Sequence, residues 1–194
     1  MAHPRIVGIA GNFRRPSKTR SLVEAIGAEV ARSRPVDFIT HDLVEIGAGL
    51  GGAYSRTQLS PEAARVIRDI ETADALIVGT PVFKGSYTGL FKHLFDLVEP
   101  EALKDVPVLL TATGGGLRHA LVVEHYLRPL FGFFEALTIP TAVYASESNF
   151  IDGTLVDAAV RERASKAAAQ LSAVLGQRVE PARSPEPMRL AAVR

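Results

Sequence analysis

Cysteine is absent from the 194-residue chain, which excludes disulfides, thiolate-ligated metals, iron–sulfur clusters and cysteine nucleophiles. Neither sign of charge dominates. The 22 lysines and arginines face 21 aspartates and glutamates, a formal charge of +1, so no bulk electrostatic argument favours nucleic acid or an anionic membrane as partner. Long apolar runs are also missing. The opening MAHPRIVGIAGN is too short for a membrane span and lacks the layout of a secretory signal. No later apolar run reaches spanning length without charges, and a cytoplasmic protein is expected. There is no GxxxxGK[ST], which argues against ATP or GTP chemistry. No triad or paired-carboxylate motif is present either, so no catalytic side chain is singled out. The histidines near residues 119–125 have no partner at ligand spacing, and no metal site is expected.

Apolar content, by contrast, is high. Hydrophobic residues make up 47% of the chain and mean hydropathy is positive, which favours a well-buried single domain and an oligomer that hides further surface. Apolar runs alternate with helical patterns. Residues 5–10 (RIVGIA) form a short strand, and residues 19–31 carry Leu22, Val23, Ile26 and Val30 at helical spacing, with Ser21 and Glu24 as a capping box. A second strand follows at 36–40. Residues 43–59 are glycine-rich without a clear period and read as a long loop. Ser60-Pro61 supplies an N-cap hydroxyl and a proline at the first helical position, opening a helix to about residue 73.

Residues 75–79 (ALIVG) are almost uniformly apolar, as in a central parallel strand covered on both faces. Next come a helix near 90–98, a fourth strand at 107–113, an apolar helix over 118–134 containing Pro129, a fifth strand at 139–145 and a last helix over 156–175. The domain therefore spans residues 1–175. Residues 176–194 hold three prolines and several arginines and are expected to be poorly ordered unless they pack on another subunit. Five strand–helix repeats imply an α/β fold with helices on both faces of a parallel sheet. The right-handed crossover rule leaves few topologies, and a three-layer sandwich with a five-stranded parallel sheet of order 2-1-3-4-5 suits this length. Such sheets bind ligands beyond the carboxyl ends of their strands, where the strand order reverses.

Three loops at that end carry chemistry. The first, Gly11 to Ser21, offers Asn12, the hydroxyls of Ser17, Thr19 and Ser21, and the cations Arg14, Arg15 and Lys18 beside a helix N-terminus. That is equipment for a phosphate dianion; the plainer reading is a polar turn that caps the helix. The second, Thr80 to Gly89, has Pro81, Val82, Phe83 and Gly85 placed to wrap a flat aromatic ligand, or else is an ordinary turn with Phe83 and Tyr87 in the core. In the third, Thr113, Gly114, Gly115 and Gly116 let backbone N–H groups approach a ligand and stabilise negative charge, the alternative being a turn that needs positive φ. Gly47 to Gly52 matches GxGxxG, yet no strand–turn–helix context surrounds it, so it reads as flexible loop rather than a dinucleotide site.

GNxRxxSxT, TPVFKGSYTG and TGGGxxHA occur in that order, with FKHLFDL, HALVVEHYLRPLF and VYASE between and after them. Together they resemble the NAD(P)H-dependent FMN reductases of bacterial two-component sulfonate monooxygenase systems, in particular the methanesulfonate-type branch. The resemblance covers about residues 5–175. It implies a flavodoxin-like fold, FMN as flavin, NADH or NADPH as co-substrate, a dimer of dimers, and a flavin-dependent monooxygenase that consumes the reduced FMN. It also implies that Asn12, Arg14, Ser17, Lys18, Thr19 and Ser21 hold the phosphate. Pro81, Val82, Phe83, Gly85 and Thr113 to Gly116 would then flank the ring. Phe83 departs from a tyrosine frequent in the family. Relatives of the alkanesulfonate branch carry an inserted tyrosine that forms a π-bulge at the tetramer interface, and His125, followed by Tyr126, falls at that position. Hydride transfer to flavin N5 needs no side-chain acid or base, because the cofactor carries the chemistry. Competing readings are a flavin-retaining quinone, azo or metal reductase, a flavodoxin-type electron carrier (disfavoured by the near-neutral charge) and a flavin-free scaffold domain.

Overall fold

In the computed structural model, residues 3–178 are described. Strands β1 (Arg5–Ala10), β3 (Ala75–Pro81) and β4 (Pro107–Gly114) are buried nearly throughout, as parallel strands covered on both faces must be. With β2 (Asp37–Asp42) and β5 (Leu137–Thr138) they form a parallel sheet of order β2-β1-β3-β4-β5, and β6 (Val143–Ser146) also pairs with β4. Alternate side chains serve opposite layers. Val7 and Ile9 pack with α2 (Leu43–Gly51), α3 (Pro61–Glu71), α4 (Gly89–Asp96) and α5 (Arg128–Phe133), while Ile6 and Ala10 pack with α1 (Lys18–Ser33) and α6 (Ala158–Arg178). Among the described residues no helix is long and apolar enough to cross a membrane. The expected tail lies outside the described residues, apart from 176–178, which continue α6.

Four sequence expectations are corrected. The cap of α1 is Ser17, whose hydroxyl accepts from the Arg20 N–H at 3.2 Å. Ser21 lies inside the helix, and Glu24 pairs with Arg20 rather than closing a capping box. The stretch read as a loop after β2 contains α2. Asp42 caps it by accepting from the Glu45 N–H, and Leu43, Ile46 and Leu50 bury one face. Here burial overrides the poor helix propensity of glycine. Gly49 is needed for closeness, since a Cβ there would stand 2.1 Å from the Ser60 hydroxyl at the start of α3. The GxGxxG match therefore lies within a packed helix and its C-cap, not in a flexible loop.

The fifth strand is split. Between Thr138 and Val143 the edge takes five steps while β4 takes three, from Val108 to Thr111. Pro140 within this stretch has no N–H for a ladder. The helix read over 118–134 is three pieces: a 3₁₀ turn Leu117–His119, a π-helical turn Val123–Leu127, and α5. The π turn contains His125 and Tyr126, and the Arg128 N–H reaches back five residues to the Val123 carbonyl. Pro129 at the start of α5 lacks the N–H that would restore an ordinary ladder. Arg128 locks the segment through a fork onto Glu124 (2.6 and 3.0 Å) and through hydrogen bonds to Thr138 and Ile139. The fork holds the Glu124 carboxyl below its ordinary value. A small hairpin of β7 (Phe150–Ile151) and β8 (Thr154–Leu155) precedes α6.

Candidate functional site

A cleft of about 520 Å³ opens beyond the carboxyl ends of β1, β3 and β4, where the strand order reverses. At one end lies the N-terminus of α1. The N–H groups of Lys18 and Thr19 have no intrahelical acceptor there, and the helix dipole favours an anion. The cations of this loop divide by role. Arg15 grips Asp42 with two bonds of 2.8 and 2.9 Å, and Arg20 reaches the same carboxylate at 3.1 Å. Arg14 and Lys18 line the cleft and have no ion-pair partner among the described residues.

Asp42, whose side chain is fully buried, organises the loop. Burial pushes its carboxyl up, but hydrogen bonds from Arg15, Arg20 and Asn12 outweigh that, and it sits below its ordinary value. The same pairing raises the Arg15 guanidinium. Asn12 donates to the Arg14 carbonyl at 3.1 Å and to Asp42 at 3.3 Å. Its own carbonyl oxygen is buried without a partner, an uncompensated acceptor in the wall of the cleft. Thr19 and Thr113 join hydroxyls at 2.6 Å, tying α1 to the end of β4.

The other end is flatter and less polar. Pro81, Val82 and Phe83 form one edge. Phe83 and Phe13 meet edge to face with centroids 5.6 Å apart, both about half exposed. Phe83 and Ser86 close a two-residue hairpin by mutual backbone hydrogen bonds, with Lys84 and Gly85 at φ of 51° and 87°. Gly85 thus serves a turn that demands positive φ and does not line the cleft. Across from Phe83 lie Thr113, Gly114 and Gly115. None of the three successive glycines has positive φ, so turn geometry does not account for them. The N–H groups of Gly115, Gly116 and Leu117 find no acceptor among the described residues.

The structure thus gathers Asn12, Arg14, Ser17, Lys18, Thr19, Pro81, Val82, Phe83, Thr113, Gly114 and Gly115 around one cavity. Gly116 stands just behind it, its carbonyl accepting from Tyr144. Ser21 faces a separate groove of about 380 Å³ between α1 and the β7–β8 hairpin. Phe13, Pro16 and Glu147 also line the cleft and were not foreseen. An aromatic amid cations was a usable signal for Phe13. For Glu147 the signal was its place just past the end of a parallel strand. His119 contributes to the 3₁₀ turn, its N–H meeting the Gly116 carbonyl, and does not line the cleft. A larger groove of about 720 Å³ lies on the helical face, lined by Tyr87, His125, Tyr126 and Phe133 among others. It has no free helix N-terminus of the kind found at α1.

A family model described as NADPH-dependent FMN reductase matches residues 4–150. The chain is 46% identical to the FMN reductase (NADPH) of Pseudomonas aeruginosa PAO1 over 91% of its length and 95% of that protein. It is 44% identical to the NADH-dependent FMN reductase SfnF of Pseudomonas fluorescens Pf0-1, over 93% of its length and 97% of that protein. Among solved structures, the apo NADH:FMN oxidoreductase EmoB superposes with a TM-score of 0.78 at 27% identity, covering 95% of this chain and 92% of that one.

Proposed function

The chain belongs to the NADPH-dependent FMN reductase family, and from that premise we propose that it holds FMN in the cleft at the strand ends and reduces it with NADH or NADPH. The observation that carries this reading is a single cavity joining unpaired Arg14 and Lys18, beside a helix N-terminus, to an apolar edge and free glycine N–H groups. Its volume, about 520 Å³, falls within the range of small-molecule sites. The donor set suits a phosphate at one end and a flat heteroaromatic ring at the other.

Flavin would supply the hydride-accepting centre, and that step asks for no side-chain acid, base or nucleophile. The protein binds and orients. Ser17, Lys18 and Thr19 with Arg14 hold the phosphate, while Pro81 to Phe83 and Gly114 to Gly115 fix the plane of the ring. The free N–H groups of the glycine segment favour negative charge at its polar edge.

The protein would then release the reduced flavin to a flavin-dependent monooxygenase of sulfonate metabolism, as the resemblance to two-component reductases implies. Desalted, nearly colourless protein should oxidise NADH or NADPH, followed at 340 nm, at a rate that rises with added FMN. It should also support turnover of a sulfonate monooxygenase supplied with no other reductase. Turnover independent of added FMN, from yellow protein and accelerated by a quinone, would instead favour a flavin-retaining quinone reductase.

Self-association belongs to the same proposal. Leu117, Leu121 and Phe133 are 75%, 62% and 69% exposed along the segment that holds the π turn, a density of apolar side chains suited to a subunit contact. Light scattering should find a dimer or tetramer, and Leu121→Glu with Phe133→Glu should reduce its size. A monomeric wild type would refute this part.

A further inference from the structure

We propose that Tyr144 is a positioning residue for the flavin, holding the glycine segment after β4 in its binding conformation, and that Gly114 lacks a side chain to make room for the Tyr144 hydroxyl. The inference rests on the FMN reading above. Tyr144 sits on β6 opposite Ala112 of β4, and its hydroxyl donates to the Gly116 carbonyl at 2.6 Å. A peptide unit is planar and trans, so fixing that carbonyl also fixes the direction of the Leu117 N–H. This is the last of the three free donors at 115–117. The segment is held at its start by the Thr113 hydroxyl on Thr19 and by the Thr113 carbonyl, which accepts from Val82 N–H at 2.7 Å. Tyr144 anchors its far end.

The glycines sort accordingly. A Cβ on Gly115 or Gly116 would meet nothing within 4 Å, whereas one on Gly114 would lie 2.4 Å from the Tyr144 hydroxyl oxygen. The next contacts, Tyr144 Cζ at 3.4 Å and Val82 Cβ at 3.5 Å, are ordinary. The hydroxyl alone therefore accounts for the glycine at 114. Burial raises the Tyr144 phenol above its ordinary value, so the donor keeps its proton at neutral pH.

The test is an FMN titration by fluorescence, without nicotinamide, on wild type, Tyr144→Phe, Gly114→Ala and the double variant, with thermal melts of the flavin-free proteins as folding controls. Tyr144→Phe should melt within a few degrees of wild type yet bind FMN about three- to tenfold more weakly, because the ordering of the segment that this hydrogen bond supplies beforehand then falls on the binding step. Gly114→Ala should weaken binding by at least as much, because its methyl group displaces the hydroxyl. In the Phe background the same alanine should cost less than about threefold, since only ordinary contacts remain. Tyr144→Phe binding FMN like wild type would overturn the inference, as would an alanine penalty equal in both backgrounds. A wild type that binds no FMN would instead sink the reading on which it stands.

Discussion

Alanine in place of Asp42 is expected to cost the fold about 2–4 kcal/mol, a helix cap together with charge-assisted hydrogen bonds to partly exposed guanidinium groups, measured by urea unfolding. The side chain is fully buried and accepts from Arg15, Arg20, Asn12 and the Glu45 N–H. Its loss leaves two guanidinium groups without their anchor and uncaps α2, itself worth about 1 kcal/mol. Function should suffer with stability, because Asp42 holds Asn12 and Arg15 of the loop after β1 in place. Asp42→Asn separates charge from shape. Pairing with Arg15 and Arg20 holds the native carboxyl below its ordinary value, so between the two values the folded chain binds fewer protons than the unfolded one. The contribution of Asp42 is then fully present above the unfolded value and is lost as pH falls through the native value. The unfolding free energy of Asp42→Asn should fall less steeply with acid than that of wild type. Identical acid slopes would show that the pairing contributes no net stability.

Removing the two free cations should have the largest effect on binding. Arg14→Ala with Lys18→Ala is expected to raise the FMN dissociation constant about tenfold to hundredfold, as charge-assisted bonds to a phosphate dianion are lost. Both side chains are free of other partners among the described residues, so the fold should melt as before. Riboflavin, which has no phosphate, provides the discriminating comparison. Its binding should be little changed, and added salt should weaken FMN binding to wild type more than to the double variant. Equal losses for FMN and riboflavin would show that these cations do not read the phosphate.

Much of this architecture was legible before any coordinates. The apolar run ALIVG marks a doubly covered strand, and Ser60-Pro61 marks a helix start; both appear where the sequence places them. Alternation and handedness leave few strand orders, and the order 2-1-3-4-5 that suits the chain length is the one observed. What escaped reading depends on distant partners. α2 looks like a loop because its glycines carry poor propensity, and only the approach of Ser60 shows why they are there. Ser17 and Ser21 offer the same hydroxyl chemistry to the same helix, and local sequence does not choose between them. Asp42 belongs to β2, 27 residues from Arg15, so no local motif announces the pair that shapes the loop after β1. The division of the cations into Arg15 and Arg20, which are structural, and Arg14 and Lys18, which are free, followed only once Asp42 was placed. Phe13, an aromatic amid cations, and Glu147, just past a parallel strand, carried a local signal, but only the closure of the loops around one cavity shows that both line it.

That split strand bears on how copies of the chain can meet. A sheet margin with a long row of unsatisfied backbone groups templates the addition of foreign strands, the first step toward aggregation. Here β5 is two residues long, Pro140 has no N–H to offer, and the Arg128 guanidinium covers the carbonyls of Ile139 and Pro140. The margin beyond β4 is therefore blunted against open-ended growth. The subunit contact proposed on the apolar helical face would, if two-fold and isologous, close into an assembly of finite size instead.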